Sequence, residues 1–125
     1  MGATLRYAKV VDRDYLQEHG GLSPRIDNKV VLSEDPPAVA RDFMIMRAWK
    51  DVGNGGFEET WRLEDPYGRV LYNGVPRTVL ADHDDLYDEV QGVRFEHDDT
   101  SQLVLEVDGR EVARVDFEVS IASQV

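Results

Sequence analysis

Apolar and polar residues alternate along several short segments of this chain, and a period of two residues predicts β-strands with one buried face. The longest alternation covers residues 113–121, where every second residue is apolar. Residues 57–64 repeat the pattern with larger side chains. Further strands are predicted at 4–11, 29–33, 42–49, 77–81 and 90–96.

Two tight turns of similar composition connect pairs of these strands. Residues 65–69 read Asp-Pro-Tyr-Gly-Arg and residues 106–110 read Glu-Val-Asp-Gly-Arg. Each predicts a β-hairpin with a three-residue loop, in which Gly68 or Gly109 adopts the left-handed conformation that a type I turn with a bulge requires. An acid then faces an arginine across each hairpin.

The loop length sets the register of each hairpin. For the first, a three-residue loop pairs Leu63 with Leu71. For the second, it pairs Leu103 with Ala113, which keeps the apolar residues on one face. A two-residue loop would instead place Leu103 opposite Arg114 and mix the two faces, so the three-residue loop is the preferred prediction.

The remaining segments complete an all-β pattern. Residues 12–21 predict a short helix with Asp12 as its N-cap, residues 34–40 a loop around Pro36-Pro37, and residues 81–89 an acidic, irregular stretch. We therefore expect one domain spanning residues 1–125, an immunoglobulin-like β-sandwich of seven to eight mostly antiparallel strands with at most one short helix. A small barrel is the alternative.

The net charge of the chain limits the classes of partner that it is expected to bind. Its 25 acidic and 14 basic residues give a net charge of -11, which argues against binding to nucleic acid or to an anionic membrane surface. A basic partner would be favoured, although solubility alone also explains such a charge. The chain has no cysteine, which excludes disulfides and thiolate chemistry.

No segment resembles a signal peptide, and the longest apolar run in the middle of the chain, residues 43–46, is far too short to span a bilayer. We expect a soluble, cytoplasmic, bacterial protein.

A duplicated His-Asp-Asp triplet is the candidate metal site. Imidazole and carboxylate groups are ligands for zinc, manganese or iron if both loops lie at the same end of a sandwich. Two solvated acidic loops are the alternative. The candidate ligands are His83, Asp84, Asp85, His97, Asp98 and Asp99.

The strand predicted at 42–49 is apolar on both faces, apart from Arg47, which interrupts one of them. A strand in a simple sandwich should have one wet face, so something is expected to cover Met44, Met46 and Ala48. One candidate is the segment 12–28, folded over this face. The other is an interface with a partner or a second copy, since methionines adapt well to such surfaces.

Catalytic signatures are missing from the sequence, so we expect neither an enzyme nor a cofactor. No nucleophile elbow surrounds any serine, and residues 53–56 lack the lysine of a phosphate loop. The aromatic residues could form a sugar-stacking platform, and the predicted register places Tyr72 on the outer face with Arg62.

The opening strand, the Pro36-Pro37 loop, the core strand 43–49 and the hairpins around 61–69 and 105–112 resemble a family of short, uncharacterised bacterial β-sandwich proteins. The resemblance implies a fold and no known activity. We therefore expect a non-catalytic module that acts through protein–protein contacts, with a protein partner or as a homodimer. A module that binds carbohydrate or a divalent metal is the alternative.

Overall fold

A computed structural model describes residues 3–14, 28–50, 52, 55–80 and 83–121, with only the backbone of residues 83–85. Within these ranges the protein is all-β, as the sequence predicts. The strands are β1 (Thr4–Asp12), β2 (Lys29–Leu32), β3 (Ala38–Val39), β4 (Phe43–Lys50), β5 (Phe57–Glu64), β6 (Val70–Asn73), β7 (Arg77–Val79), β8 (His83–Val90), β9 (Arg94–Phe95), β10 (Ser101–Val107) and β11 (Arg110–Ile121).

The strands form three sheets. A three-stranded sheet has the order β1-β4-β8, and β3 pairs with β9 in a short ladder. A six-stranded sheet has the order β2-β11-β10-β5-β6, in which β7 also pairs with β5. All described strand pairs are antiparallel except β2 with β11.

The two larger sheets share one hydrophobic core, to which β3 and β9 also contribute. The rings of Trp49 on β4 and Phe57 on β5 meet edge to face with centroids 5.0 Å apart. Phe95 on β9 lies 6.4 Å from Phe43 and 6.3 Å from Phe117 between ring centroids. These contacts join strands that are distant in sequence, so the core depends on the complete arrangement of sheets.

The strand count exceeds the seven to eight predicted. Eight of the eleven described strands have four or more residues, and β3, β7 and β9 have two or three. A two-residue period cannot be recognised in so few residues. Of the short strands, β7 and β9 lie within the strands predicted at 77–81 and 90–96, whereas β3 lies in the predicted loop at 34–40.

The first hairpin follows the predicted register only at its closed end. The backbone N–H of Asp65 donates to the carbonyl of Arg69 at 2.9 Å, and Gly68 has a φ of 84°. A bulge between Leu63 and Glu64 then shifts the ladder, so that Leu63 pairs with Tyr72 rather than with Leu71. The predicted register was wrong beyond this bulge.

Tyr72 consequently stacks on the indole of Trp61, with ring centroids 5.7 Å apart, on the core side of the sheet. The prediction that it shares the outer face with Arg62 was therefore wrong as well.

The second hairpin has the two-residue loop that the sequence analysis rejected. Asp108 and Gly109 have φ values of 50° and 81°, as a type I′ turn requires, and Val107 pairs with Arg110. A bulge between Leu105 and Glu106 then restores the alternation, so that Leu103 pairs with Val115. The preferred three-residue loop was wrong because this bulge removes the mixing of faces that argued against the shorter one.

Two further predictions were wrong around β8. Residues 83–90 form a strand rather than an irregular stretch, and of the predicted strand 90–96 only Arg94–Phe95 pairs separately, as β9. Asp12 ends β1, and Arg13 and Asp14 directly after it are helical, so its role as the N-cap of a helix stays a prediction. Most of the helix predicted at 12–21 lies outside the described residues.

Candidate functional site

A pair of opposite charges is buried between the two larger sheets. Arg47 on β4 and Glu59 on β5 both have side chains with no exposed surface. Nε of Arg47 donates to Oε2 of Glu59 at 2.8 Å, and Nη2 bonds the other carboxylate oxygen. The indole Nε1 of Trp49 donates to the same Oε2 at 2.6 Å. The carboxylate of Glu59 therefore accepts two bonds from the guanidinium of Arg47, through Nε and Nη2, and a third from the indole of Trp49.

The network continues to Asp88 on β8, whose side chain is 24 % exposed. Its Oδ2 lies 3.0 Å from Nη2 of Arg47 and accepts a bond of 3.0 Å from Nε1 of Trp61. Its Oδ1 accepts a bond of 2.5 Å from Nη2 of Arg77. This network runs from the buried pair Arg47 and Glu59 through Asp88 to the exposed side of Arg77, and it joins β4, β5, β7 and β8.

The electrostatics of the network favour its charged form. Burial raises the pKa of Asp88, but the bond from Trp61 and the charges of Arg47 and Arg77 outweigh it and hold that pKa below its usual value. Burial lowers the pKa of Arg47, and Glu59 and Asp88 outweigh that effect and raise it. Glu59 and Asp88 each lie within bonding distance of three nitrogen donors, which is typical of a structural ion network.

A second set of charges lies on the outer face of the six-stranded sheet. We call it the outer-face lattice; it consists of Arg62, Glu64, Glu106, Glu111 and Arg114. Arg62 lies 2.6 Å from Glu64 and 2.9 Å from Glu106 between nitrogen and oxygen atoms. Arg114 reaches Glu64 at 3.0 Å and Glu111 at 2.8 Å. The hydrogen bond from Arg62, with that from Arg114, lowers the pKa of Glu64.

The outer-face lattice also shields an apolar residue. Val104 pairs with Arg62 on one side and Arg114 on the other, and none of its surface is exposed. The aliphatic stems of two arginines can cover a valine in this position while their charged ends stay in contact with carboxylates. The lattice is therefore a closed, internally paired surface.

One edge of the six-stranded sheet differs from the rest of the molecule. We define the β6–β7 edge as residues 69–80, which contain two arginines and no acidic residue in a chain with 25 acids. Three of its apolar side chains are well exposed: Val70 at 45 %, Val75 at 76 % and Leu80 at 68 %. Apolar exposure of this kind on a sheet edge is typical of an interaction surface.

A groove runs beside the first half of this edge. It has a volume of about 340 Å³ and lies between residues 69–72 and residues 91–96. Arg69 and Arg94 both line it. Nε of Arg94 bonds Glu96 at 3.1 Å, whereas the Arg69 side chain forms no ion pair within the described residues.

The predicted metal ligands lie in two separate regions. The backbone of His83 pairs with Trp49, which contacts Phe57 at the start of β5. The ring of His97 lies 5.3 Å from that of Tyr67, in the turn that follows the end of β5. Eight strand residues separate these ends by about 25 Å, so the two triplets do not lie together.

Within the described side chains, no group of three histidine or acidic residues could hold a metal ion. The structure does not describe the side chains of His83, Asp84 and Asp85, and Asp98 and Asp99 are exposed with His97. Metal binding by either triplet stays a prediction.

The predicted interface residues lie on the face of β4 that points away from the main core. Met46 and Val11 form a small separate cluster, with Met44 packed against it. Met44 is half-buried, Met46 is 8 % exposed, and Ala48 has no exposed surface. An interface at these residues stays a prediction, but little of their surface is accessible in the single chain.

The aromatic residues do not form an open platform where they were expected. Trp61 is 3 % exposed, with its indole N–H bonded to Asp88 and its ring stacked on Tyr72. A pocket of about 390 Å³ beside it is lined by Arg62, Asn73 and Pro76, among others. Sugar binding through stacking on Trp61 would require this ring to become accessible.

Sequence reasoning noted that Arg47 interrupts an apolar face but did not identify its partner. The signal was present, because Glu59 also lies at an inward position between Phe57 and Trp61. Charges of opposite sign at inward positions of two strands indicate a buried pair. The acid-free composition of residues 69–80 was equally visible and was not used.

Comparison with models of known protein families gives no match for this sequence, and comparison with curated protein sequences gives none. The resemblance to short bacterial β-sandwich proteins therefore stays a prediction. Among the described residues, no helix has the length and apolar character needed to cross a bilayer.

Proposed function

We propose that this protein is a non-catalytic interaction module that binds a partner protein through the β6–β7 edge. The observation that carries the proposal is the exposure of Val70, Val75 and Leu80 along a stretch without acids on a chain of net charge -11. Single exposed apolar side chains are common on protein surfaces, but here one on β6, one between β6 and β7 and one directly after β7 fall within the same acid-free stretch.

The paired carboxylates of Glu59 and Asp88 support the non-catalytic part of the proposal. Glu59 has no exposed surface and Asp88 is 24 % exposed, and the oxygens of both already accept bonds from arginine and indole donors. A general base must be free to accept a proton from a substrate.

The proposal includes a finer fold assignment, an immunoglobulin-like β-sandwich, for which the shared core of the two sheets is the support. A cytoplasmic, bacterial protein belongs to the same proposal. The resemblance to short bacterial β-sandwich proteins is a further part of it.

The test is capture of binding proteins from lysate of the source organism by three immobilised forms. These are the wild-type chain, Val75→Asp, and Val112→Asp as a matched control on β11, where Val112 is 48 % exposed. We expect one stoichiometric partner on the wild type and on the control, and its loss from Val75→Asp. Equal recovery from all three forms, or no partner on any of them, contradicts the proposal.

A parallel measurement separates the alternatives. A ligand that binds only the folded state raises the melting temperature, so thermal-shift panels with divalent metals and glycans test the small-ligand function. Sedimentation across a dilution series tests the homodimer. A metal or glycan response together with no protein partner would replace our proposal by the ligand-binding one.

A further inference from the structure

We infer that the β6–β7 edge takes an extended segment of its partner as an added strand, and that this segment alternates acidic with apolar residues. The inference rests on the proposed function and names the mode of binding and the chemistry of the partner.

The backbone of β6 supplies the first argument. Val70–Asn73 pairs with β5, and no other described strand pairs with its second side. The unpaired edge of a strand presents N–H and C=O groups to which a strand from another molecule can hydrogen-bond, which is the basis of β-strand addition. Four residues extend over about 13 Å, a length that accommodates a short strand.

Charge supplies the second argument. Residues 69–80 contain no acid, and Arg69 lines the groove without an ion pair among the described residues. Arg94 lies on the opposite wall of the same groove, but it is paired at 3.1 Å with Glu96, which also lines the groove. Arg69 therefore supplies the positive charge that an acidic segment would meet, whereas a basic segment would be attracted to the acidic remainder of the molecule.

The exposed side chains supply the third argument. Val70 is 45 % exposed and Leu71 and Tyr72 are half-buried along the groove. Because of the bulge, Val70 pairs with Glu64 and Tyr72 pairs with Leu63, so these two side chains lie on opposite faces of the sheet. Neighbouring residues of an extended segment also point to opposite faces, so a bound segment can turn apolar residues toward Val70 and carboxylates toward Arg69. Alternation in the partner follows from this arrangement.

A second copy of the chain is a poorer occupant. Two copies of this edge paired antiparallel about Asn73 would place Arg69 of each copy opposite Arg77 of the other, and like charges directly opposite each other are destabilising. The acidic strand β8 of another copy would give a head-to-tail contact, which forms open assemblies rather than a closed dimer. A separate partner protein avoids both difficulties.

The hairpin turns offer a matched pair of variants. Arg69 follows Gly68 and Arg110 follows Gly109, and both side chains are exposed and form no ion pair within the described residues. Arg69→Glu alters the groove, whereas Arg110→Glu makes the same charge change at the second hairpin. Arg69 contributes backbone atoms to its turn, so its variant is expected to fold; Arg69→Gln replaces it if circular dichroism shows otherwise.

The experiment measures binding of labelled eight-residue peptides by fluorescence anisotropy. The probes are a peptide of alternating glutamate and valine, one of alternating lysine and valine, and the glutamate peptide with N-methylated valines. We expect the first to bind, with affinity about tenfold or more weaker for Arg69→Glu and unchanged for Arg110→Glu. N-methylation should abolish binding because it removes backbone donors, and amide shifts should change at residues 69–80 and 91–96.

Any one of three peptide results overturns the inference: no binding of the glutamate peptide at about 1 mM, a concentration that corresponds to a binding free energy of about 4 kcal/mol; equal binding of the lysine peptide; or equal weakening by Arg110→Glu. Self-association through this edge, lost in Arg69→Glu, overturns it as well. If the peptides fail while Val75→Asp still loses a captured protein, the strand-addition mode is wrong and the proposed function stands. If no form captures a protein, the proposed function fails.

Discussion

Arg47 and Glu59 show how two single residues hold the sheets in one relative position. Each is fully buried, and each neutralises the other across the space between β4 and β5. Removing one partner leaves a buried, uncompensated charge, whereas removing both leaves apolar residues in contact. The pair therefore constrains which residues of β4 and β5 can face each other.

We expect Arg47→Met to lower the free energy of unfolding by about 3–5 kcal/mol. Adding Glu59→Leu should recover part of that loss, because the double variant has no unpaired charge at this point and Asp88 retains Arg77 and Trp61. Urea denaturation of the wild type, both single variants and the double variant gives the coupling free energy. Strict additivity would show that the two charges act independently.

Gly74 is fixed by a close approach to an aromatic ring. A Cβ at this position would lie 2.2 Å from Cε2 of Trp61, and the N–H of Gly74 donates to the carbonyl of Trp61 at 2.8 Å. The ring cannot retreat freely, because it also stacks on Tyr72 and bonds Asp88.

Gly74→Ala is therefore expected to destabilise the fold by about 1–3 kcal/mol, the usual cost of overpacking. Gly55→Ala is the matched control, since a Cβ there meets nothing within 4 Å. Thermal denaturation by circular dichroism compares the two. A melting temperature of Gly74→Ala equal to that of the control would contradict the contact with Trp61.

At the scale of elements, turns and bulges determine which face of each strand is buried. The turn of each hairpin contains a glycine in the left-handed conformation, Gly68 or Gly109, and each hairpin has a bulge close to its turn. The bulge in the second hairpin places Leu103 opposite Val115 despite a two-residue loop. Turn and bulge thus act together, and neither alone specifies the register.

Gly68→Ala should cost about 1–2 kcal/mol, because an L-residue with a side chain is strained at its φ of 84°. The side chain of Asp65, which accepts bonds from the N–H groups of Tyr67 and Arg69, should remain in place. Gly68→Asn should be milder, since asparagine visits this conformation more readily. In chemical denaturation, the free energy of unfolding should decrease in the order wild type, Gly68→Asn, Gly68→Ala. If Gly68→Ala is as stable as the wild type, the backbone at this position is not strained.

Alternation sufficed to predict the long strands, including β4, β5, β10 and β11, because each buries one or both faces in a regular period. It failed for β8, where Asp88 occupies an inward position that only Arg47 and Arg77, from other strands, make tolerable. The two bulges were not predicted for a similar reason, because the extra residue of a bulge can be recognised only once the partner strand is known. The candidate site was missed where it depends on long-range pairing.

For the molecule as a whole, the paired carboxylates make the free energy of unfolding depend on pH. The pKa of Glu64 is lowered chiefly by its bond from Arg62, and the pKa of Asp88 lies below its usual value despite burial. A group whose pKa is lower in the folded state stabilises folding at pH values above its unfolded pKa, and that stability is lost as the pH falls through the folded pKa.

We therefore expect the free energy of unfolding to fall as the pH drops below the ordinary values of 4.5 for Glu64 and 3.8 for Asp88. Glu64→Gln and Asp88→Asn should each be less stable than the wild type at neutral pH and lose less stability in acid. Urea denaturation across a pH series gives these slopes. An unchanged slope in both variants would show that other groups govern acid unfolding.

The parallel pairing of β2 with β11 carries a consequence for how the chain is made. Lys29 pairs with Glu118 and Leu32 with Ile121, and β11 occupies the second place of the six-stranded sheet, between β2 and β10. During synthesis, Val30, Val31 and Leu32 leave the ribosome long before the strand that covers them. Until β11 is made, the growing chain therefore has the β2 edge that pairs with β11 uncovered, and an unpaired apolar strand of this kind is prone to misassociation during folding.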